Sequence, residues 1–221
     1  MKNTFKKLFI SFTVLSLTAC GSTTMQDNTF AAKENKDFTK YTNQLVVEYA
    51  ESDYTTMHQF FEHPEDYGID INNVDVSLGE FYTDNTEEIK EDQKELNKFN
   101  RSTLDKTQQT IYDELKYENE LSLKAENKKF QYLNNCWSTM SGLHQSLISV
   151  FSEYILRNGK DIQDLITLIN DVPRYTNDVL EYTKKQADKN TLQFDYDSVI
   201  QDIQDVINNK ENSSITSALY N

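Results

Sequence analysis

Five glycines and two prolines in 221 residues leave very little turn chemistry. Sheets need a tight turn every few residues, so so few of them point to a helical chain. The same shortage excludes the phosphate loop, the dinucleotide fingerprint and the serine elbow, each of which needs glycine at fixed places. Basic residues are also short, with 22 Lys and Arg against 36 Asp and Glu and a net charge of −14. Phosphate contacts need clustered cations, so nucleic acid is excluded as a partner. There are three histidines, His58, His63 and His144, and none begins the His-Glu pair of a zinc-protease helix. The five-residue spacing of His58 and His63 reads as two ordinary surface histidines at a helix end, not as ligands.

Cysteine is nearly missing as well, and its two positions differ in kind. Lys2, Lys6 and Lys7 precede the mostly apolar run Leu8 to Leu17, the layout of an export signal. That run is about half the roughly 20 residues a membrane-crossing helix needs. Leu17-Thr18-Ala19-Cys20 then looks like a bacterial lipobox, in which the Cys20 thiol takes a diacylglyceryl group and becomes the new N-terminus. The expected layout is a signal peptide over 1–19, a lipidated tether over 20–36 and a helical domain over 37–221. Loss of residues 1–19 removes three lysines and no acid, taking the net charge from −14 to −17. That charge repels an anionic bilayer, so the body is expected to stand off the surface to which Cys20 pins it, on the extracytoplasmic face. With Cys20 acylated, Cys136 has no disulfide partner within the chain.

The apolar pattern within the domain is helical. Asp37 reads as an N-cap, followed by Phe38, Tyr41, Leu45 and Tyr49 on one face. Tyr54, Met57, Phe60 and Phe61 mark a short helix that Pro64 ends. Residues 64–84 read as a loop with a brief strand-like piece around Val74 to Leu78. A helix from Asn85 to Phe99 turns Ile89, Leu96 and Phe99 inward and a solvated acidic face outward. Ser102 with Asp105 reads as a capping box before Leu104, Ile111 and Leu115. Leu147 to Ile155 form a helix closed by Asn158-Gly159, and Asp161 caps the next. There Ile162, Leu165, Ile166, Ile169 and Val172 form a stripe that Tyr175, Val179 and Tyr182 continue past Pro173. Proline breaks a helical hydrogen bond, so two nearly continuous helices are predicted there. Val199, Ile200, Ile203, Val206 and Ile207 mark a last helix. About six or seven helices in an all-α array are expected.

Catalytic constellations find no purchase. Cys136 and His144 are close only in sequence, and Cys136 beside Trp137 reads as a small buried hydrophobe. The run from Asp70 to Asp75 starts like a calcium loop, but Val74 and Asp75 stand where an oxygen ligand and a glycine belong.

Three groups of residues carry a resemblance. They are Pro64-Glu-Asp-Tyr-Gly68-Ile69; Leu104 with Gln108-Gln109 and Tyr112-Asp-Glu-Leu115; and Gly142 with Asp161-Ile-Gln-Asp164-Leu165 and Asp171-Val-Pro-Arg-Tyr175. Together, over Asp37 to Asn221, they resemble the N-terminal half of the bacterial lipoprotein family called domain of unknown function 885. The resemblance implies a helical fold and kinship with zinc metallopeptidases, whose metal site is a His-Glu motif and a further histidine in a C-terminal half. No position here matches that motif, so no catalytic or metal-ligating residue is assigned, and zinc is expected only in such a C-terminal half. Where the family usually has a glycine, Lys189-Asn190 stands here, and Asn tolerates the left-handed turn. Two readings follow. The chain is the scaffold half of a peptidase-like lipoprotein, inactive alone, with apolar surface bared near Val206, Ile207 and Ile215 to Tyr220. Alternatively it is a complete helical lipoprotein that binds a peptide, a cell-wall component or a partner protein. The DNA following Asn221 separates them.

Overall fold

The computed structural model describes residues 33–82 and 84–208. The signal segment, the lipidation residue Cys20 and the tail from 209 lie outside them, as does the side chain of Val206. Among the described residues there are seven α-helices and three short 3-10 turns, with no strand. The helices are α1 Lys36–Ser52, α2 Tyr54–Phe60, α3 Thr86–Leu96, α4 Lys106–Ala125, α5 Leu143–Ser152, α6 Gly159–Asp188 and α7 Tyr196–Asn208. The segment read as strand-like around Val74 has no strand partner and follows a 3-10 turn over Ile71–Asn73.

Contacts divide the chain into two compact units. The first takes Met1–Ser52, His63–Val74 and Asp84–Lys128. Its core is Phe38 and Leu45 of α1 with Leu96, Leu104, Tyr112 and Leu115. Phe38 is fully buried and meets Phe99 edge-to-face at 5.1 Å, so the positive edge of one ring points at the negative face of the other. Burying that one side chain contributes about 1.5–3 kcal/mol. α3 packs on α4. The outer face of α3 is a ladder of Glu87–Lys90, Glu91–Lys94 and Glu95–Lys98 pairs one turn apart.

The caps fall three or fewer residues away from where the sequence suggests. Asn35, not Asp37, accepts the amide protons of Asp37 and Phe38 and starts α1. Asp105, not Ser102, is the N-cap of α4, with Gln108 completing the box. Gln108 is buried, and its amide exchanges hydrogen bonds with the backbone of Asn35, which ties the start of α1 to α4. Gly68 ends the Pro64–Tyr67 turn at φ 77°, a backbone shape that favours glycine, and this sets Ile69 into the interior.

The second unit takes Asp53–Glu62, Asp75–Thr83 and Lys129–Asn221. Its spine is α6, a single helix of 30 residues, about 45 Å long at 1.5 Å per residue. Pro173 sits inside it without dividing it, on the exposed side. Two helices were predicted there, and one is found. Asn158 is its N-cap and Asp161 the reciprocal N3 partner, so Asn158-Gly159 opens this helix instead of closing α5. α5 itself stops at Ser152. The inward face of the first turns carries Asp161, Asp164, Leu165 and Leu168, while Ile162, Ile166 and Ile169 are exposed at 49%, 49% and 40%. Further along, Val179 and Tyr182 join Cys136 and Leu143 in the core. Two α6 side chains one turn apart clamp the loop 129–142. The Tyr182 hydroxyl donates to the Gln131 carbonyl at 2.9 Å, and the Gln186 amide donates to the Tyr132 and Asn134 carbonyls. Asn190 closes α6 at φ 56°, the left-handed turn expected of it.

Candidate functional site

Two places in the second unit gather polar and aromatic side chains. The first is buried. α2 carries Tyr54 and His58 one turn apart, and the segment just after α5 supplies Tyr154. The His58 ring lies between the two phenols, 4.2 Å from Tyr154 and 5.6 Å from Tyr54, nearly parallel to both. Its Nε2 meets the Ile155 carbonyl at 2.7 Å, Arg157 donates to its backbone carbonyl, and Asp161 lies 4.0 Å from its Nδ1. Tyr54 donates to Asp164 at 2.8 Å, and its hydroxyl lies 2.9 Å from that of Tyr154. Burial first, then these two hydrogen-bond partners, push the Tyr54 phenol far above its ordinary value. Lys160 neutralises Asp164 from the same helix. His58 is therefore not the surface histidine of the sequence reading: it is buried at 8% exposure because its apolar faces are covered by rings and its nitrogen has a carbonyl partner. The hydroxyls and carboxylates of the cluster have partners within it, and a small cavity of about 130 Å³ borders His58 and Tyr154.

The second place is open. Glu80, Phe81 and Tyr82 from the loop before α3, Gln131 and Tyr132 from the loop after α4, and one side of α6 line a cleft of about 460 Å³. This is within the size range of ligand sites. Its floor is aromatic: Tyr182 meets Phe81 at 5.2 Å, Tyr132 at 5.4 Å and Tyr82 at 5.6 Å. α6 contributes charge at i, i+4, i+7 and i+11 through Arg174, Asp178, Glu181 and Lys185. Arg174 is fully engaged, by Asp171, Asp178 and the Gly79 carbonyl, so it fastens the 75–82 loop to α6. Its guanidinium holds the Asp171 carboxyl below the usual carboxylate range, helped by the Leu78 amide. Glu181 is likewise lowered by its bond to Lys184. Glu80 and Lys185 make no hydrogen bond or salt bridge through their side chains among the described residues, and both point to solvent.

The residues weighed for catalysis are not assembled. Cys136 is buried, bonded weakly to the Asn134 carbonyl, and burial pushes its thiol up to about 11. A thiol held protonated at neutral pH is a poor nucleophile. Among the described residues neither ring nitrogen of His144 has a hydrogen-bond partner, so it does not pair with Cys136, and Asp202 lies 3.9 Å from its Nε2. His63 is exposed beside Glu65. Among the described residues no three His, Cys, Asp or Glu side chains meet in a way that could hold a metal ion, so these residues do not fit a zinc centre. The Asp70 side chain caps its own 3-10 turn through the Asn72 amide. None of the cleft residues except Tyr175's neighbour Arg174 and Tyr182 was singled out by the sequence. The signal that could have found the cleft was the adjacent Phe81-Tyr82 pair in an otherwise acidic loop.

Gly142, one of the motif residues, precedes α5 where no side chain fits: a Cβ there would lie 2.6 Å from the Ser138 carbonyl oxygen. Gln108, Asp161, Asp171 and Arg174 are similarly taken up by caps and loop contacts, and Asp164 by Tyr54 and Lys160. These features define a domain, all-helical among the described residues, whose motif residues are architectural and whose open site is an aromatic cleft. The chain belongs to the family described as bacterial protein of unknown function (DUF885), whose model matches residues 72–220. That match begins after the Pro64–Ile69 turn, so it is shorter than the resemblance read from Asp37 onward. No curated protein and no solved structure matches the chain.

Proposed function

We propose that this protein is a lipoprotein held through Cys20 at the extracytoplasmic face of the bacterial membrane, and that its helical domain binds a ligand without transforming it. The observation that carries the second half is the contrast between the cleft and everything else. The polar motif residues of the second unit have partners that fix backbone, and the one reactive thiol candidate is held protonated. Glu80 and Lys185 at the cleft remain open to a partner. The kinship with zinc metallopeptidases belongs to this proposal too: the domain is the scaffold half of such a protein, without peptidase activity of its own. The exposed stripe Ile162, Ile166 and Ile169 supports that, since an apolar helix face is what a further folded half would cover.

Fractionation tests the anchor. The native chain should remain in the membrane pellet after a carbonate wash, because two acyl chains bind stably where one is marginal. Cys20→Ser should move it to the soluble fraction. A Ser variant that still pellets defeats the lipoprotein reading. Purified chain should hold no stoichiometric zinc and cleave no peptide; near one zinc per chain, resistant to mild chelation, defeats the non-catalytic reading.

A further inference from the structure

We infer that the aromatic cleft is a peptide-binding site that seats an apolar side chain on its tyrosine floor, a cationic group against Glu80 and a carboxylate against Lys185. This rests on the binding reading above and names its ligand class. Four observations bear on the choice. The floor is made of rings, with Tyr182 buried and holding Phe81, Tyr82 and Tyr132 around it. Rings packed this way are rigid and offer apolar area at little entropic cost, as in other protein-recognition surfaces. The floor is preformed, because the Tyr182 hydroxyl and the Gln186 amide hold the 129–142 loop and Arg174 holds the 75–82 loop. Preorganisation lowers the ordering cost of binding.

The charges decide between ligands. Arg174, Asp178 and Glu181 have partners in Asp171, each other and Lys184, and so act as wall. Among the described residues Glu80 and Lys185 form no salt bridge, Lys185 only adding to the field that lowers Glu181, so the cleft presents one carboxylate and one ammonium. A neutral glycan would stack on the rings and hydrogen-bond both groups through its hydroxyls, but it brings no opposite charge to pair with either. An anionic polymer would meet Glu80 and the −14 of the whole chain. A peptide supplies an apolar side chain and both signs of charge, and complementary charges also set its orientation.

The test uses the full chain carrying Cys20→Ser, which keeps the whole described domain. Isothermal titration at low ionic strength with free tripeptides of Lys, then Phe, Tyr or Leu, then a residue with a free carboxylate should show saturable binding. Glu80→Gln and Lys185→Gln should each weaken it about tenfold or more, and Tyr82→Ala likewise. All three positions are exposed, so circular dichroism should stay unchanged. Raising the salt to 0.5 M should weaken binding, since the contacts are ionic and open to solvent. Acetyl-Phe-amide, which lacks both charges, should bind far less. Absence of binding by any tripeptide overturns the inference, and so does binding that the Glu80 and Lys185 variants leave unchanged. Binding of N-acetylglucosamine oligomers in preference to the tripeptides makes the cleft a sugar site and overturns it too. Each of these failures leaves the membrane fractionation result untouched.

Discussion

The two units are built from the same helical vocabulary and treat polar residues in opposite ways. In the first, charge stays outside: the α3 ladder and the Arg101–Asp113 pair lie on the surface, and the core is Phe38, Leu45, Leu96 and Leu104. In the second, charge goes inside: Asp161 and Asp164 point inward from α6, Asp161 accepting the Arg157 and Asn158 backbone amides beside His58 and Asp164 meeting Lys160 and Tyr54. The inward aspartates turn Ile162, Ile166 and Ile169 outward, because a helix has one inner face and residues at i, i+3 and i+4 share it. A unit held by apolar packing loses stability through cavities. One held by buried polar contacts is sensitive to geometry and pH.

The largest effect should come from the first unit's core. Phe38→Ala removes a fully buried ring that touches Tyr41, Phe99 and Tyr112, and should cost about 3–5 kcal/mol. Hydrogen exchange should show protection lost across α4 amides before α6 amides. Equal loss in both helices would mean the two units unfold as one, and would erase the comparison.

Gly142→Ala should act on the second unit and less strongly. The added methyl would sit 2.6 Å from the Ser138 oxygen and 2.7 Å from its nitrogen, both backbone, so the loop before α5 must move. Overpacking of this kind costs about 1–3 kcal/mol. The thermal midpoint should fall, and Cys136, whose carbonyl accepts the Leu143 amide, should react faster with iodoacetamide at pH 8. An unchanged midpoint would show that the loop yields freely.

Acid should act on the second unit through Asp171. Asp171 has its carboxyl held low by Arg174, so the folded state binds its proton less readily than the unfolded chain does. That stabilisation is fully present above about pH 4 to 5 and fades as pH falls through the lowered native value. Asp171→Asn should lower the midpoint at pH 7 and reduce the further fall on going to pH 3. Parallel acid curves for the native chain and the variant would remove Asp171 from the account.

Periodicity carried most of this fold, since Phe38, Leu45, Leu96, Leu104, Leu115, Val179 and Val199 are all buried where helical spacing puts them. The α6 cap was displaced for a specific reason: in a capping box two polar residues three apart both look like an N-cap, and Asn158 and Asp161 share the role. The α6 stripe misled because Leu165 and Leu168 lie between Ile162 and Ile169, so two apolar faces compete and only tertiary partners such as Tyr54 choose between them. His58 and the cleft were out of reach for the same reason. Their partners lie far along the chain, Ile155 at 97 residues from His58, and nothing local marks such a pair.

The smallest effect should be on the α3 ladder. Lys94 reaches the Glu91 carboxylate at 2.9 Å, and Lys90 and Lys98 make the equivalent pairs. Every partner is largely in water, where Coulomb attraction is weak and two long side chains must lose freedom to meet. The ladder nevertheless sits on a helix whose outward face carries Glu87, Glu88, Glu91, Asp92 and Glu95, so each lysine also relieves repulsion among the acids. Lys94→Ala should therefore leave the thermal midpoint unresolved from the native value at 0.15 M salt, where exposed charges are screened beyond about 8 Å. In about 10 mM salt the screening length grows to roughly 30 Å, and a small drop should appear. A large drop at both salt concentrations would place this surface among the structural elements of the first unit, and the contrast between outer and inner charge would fail there.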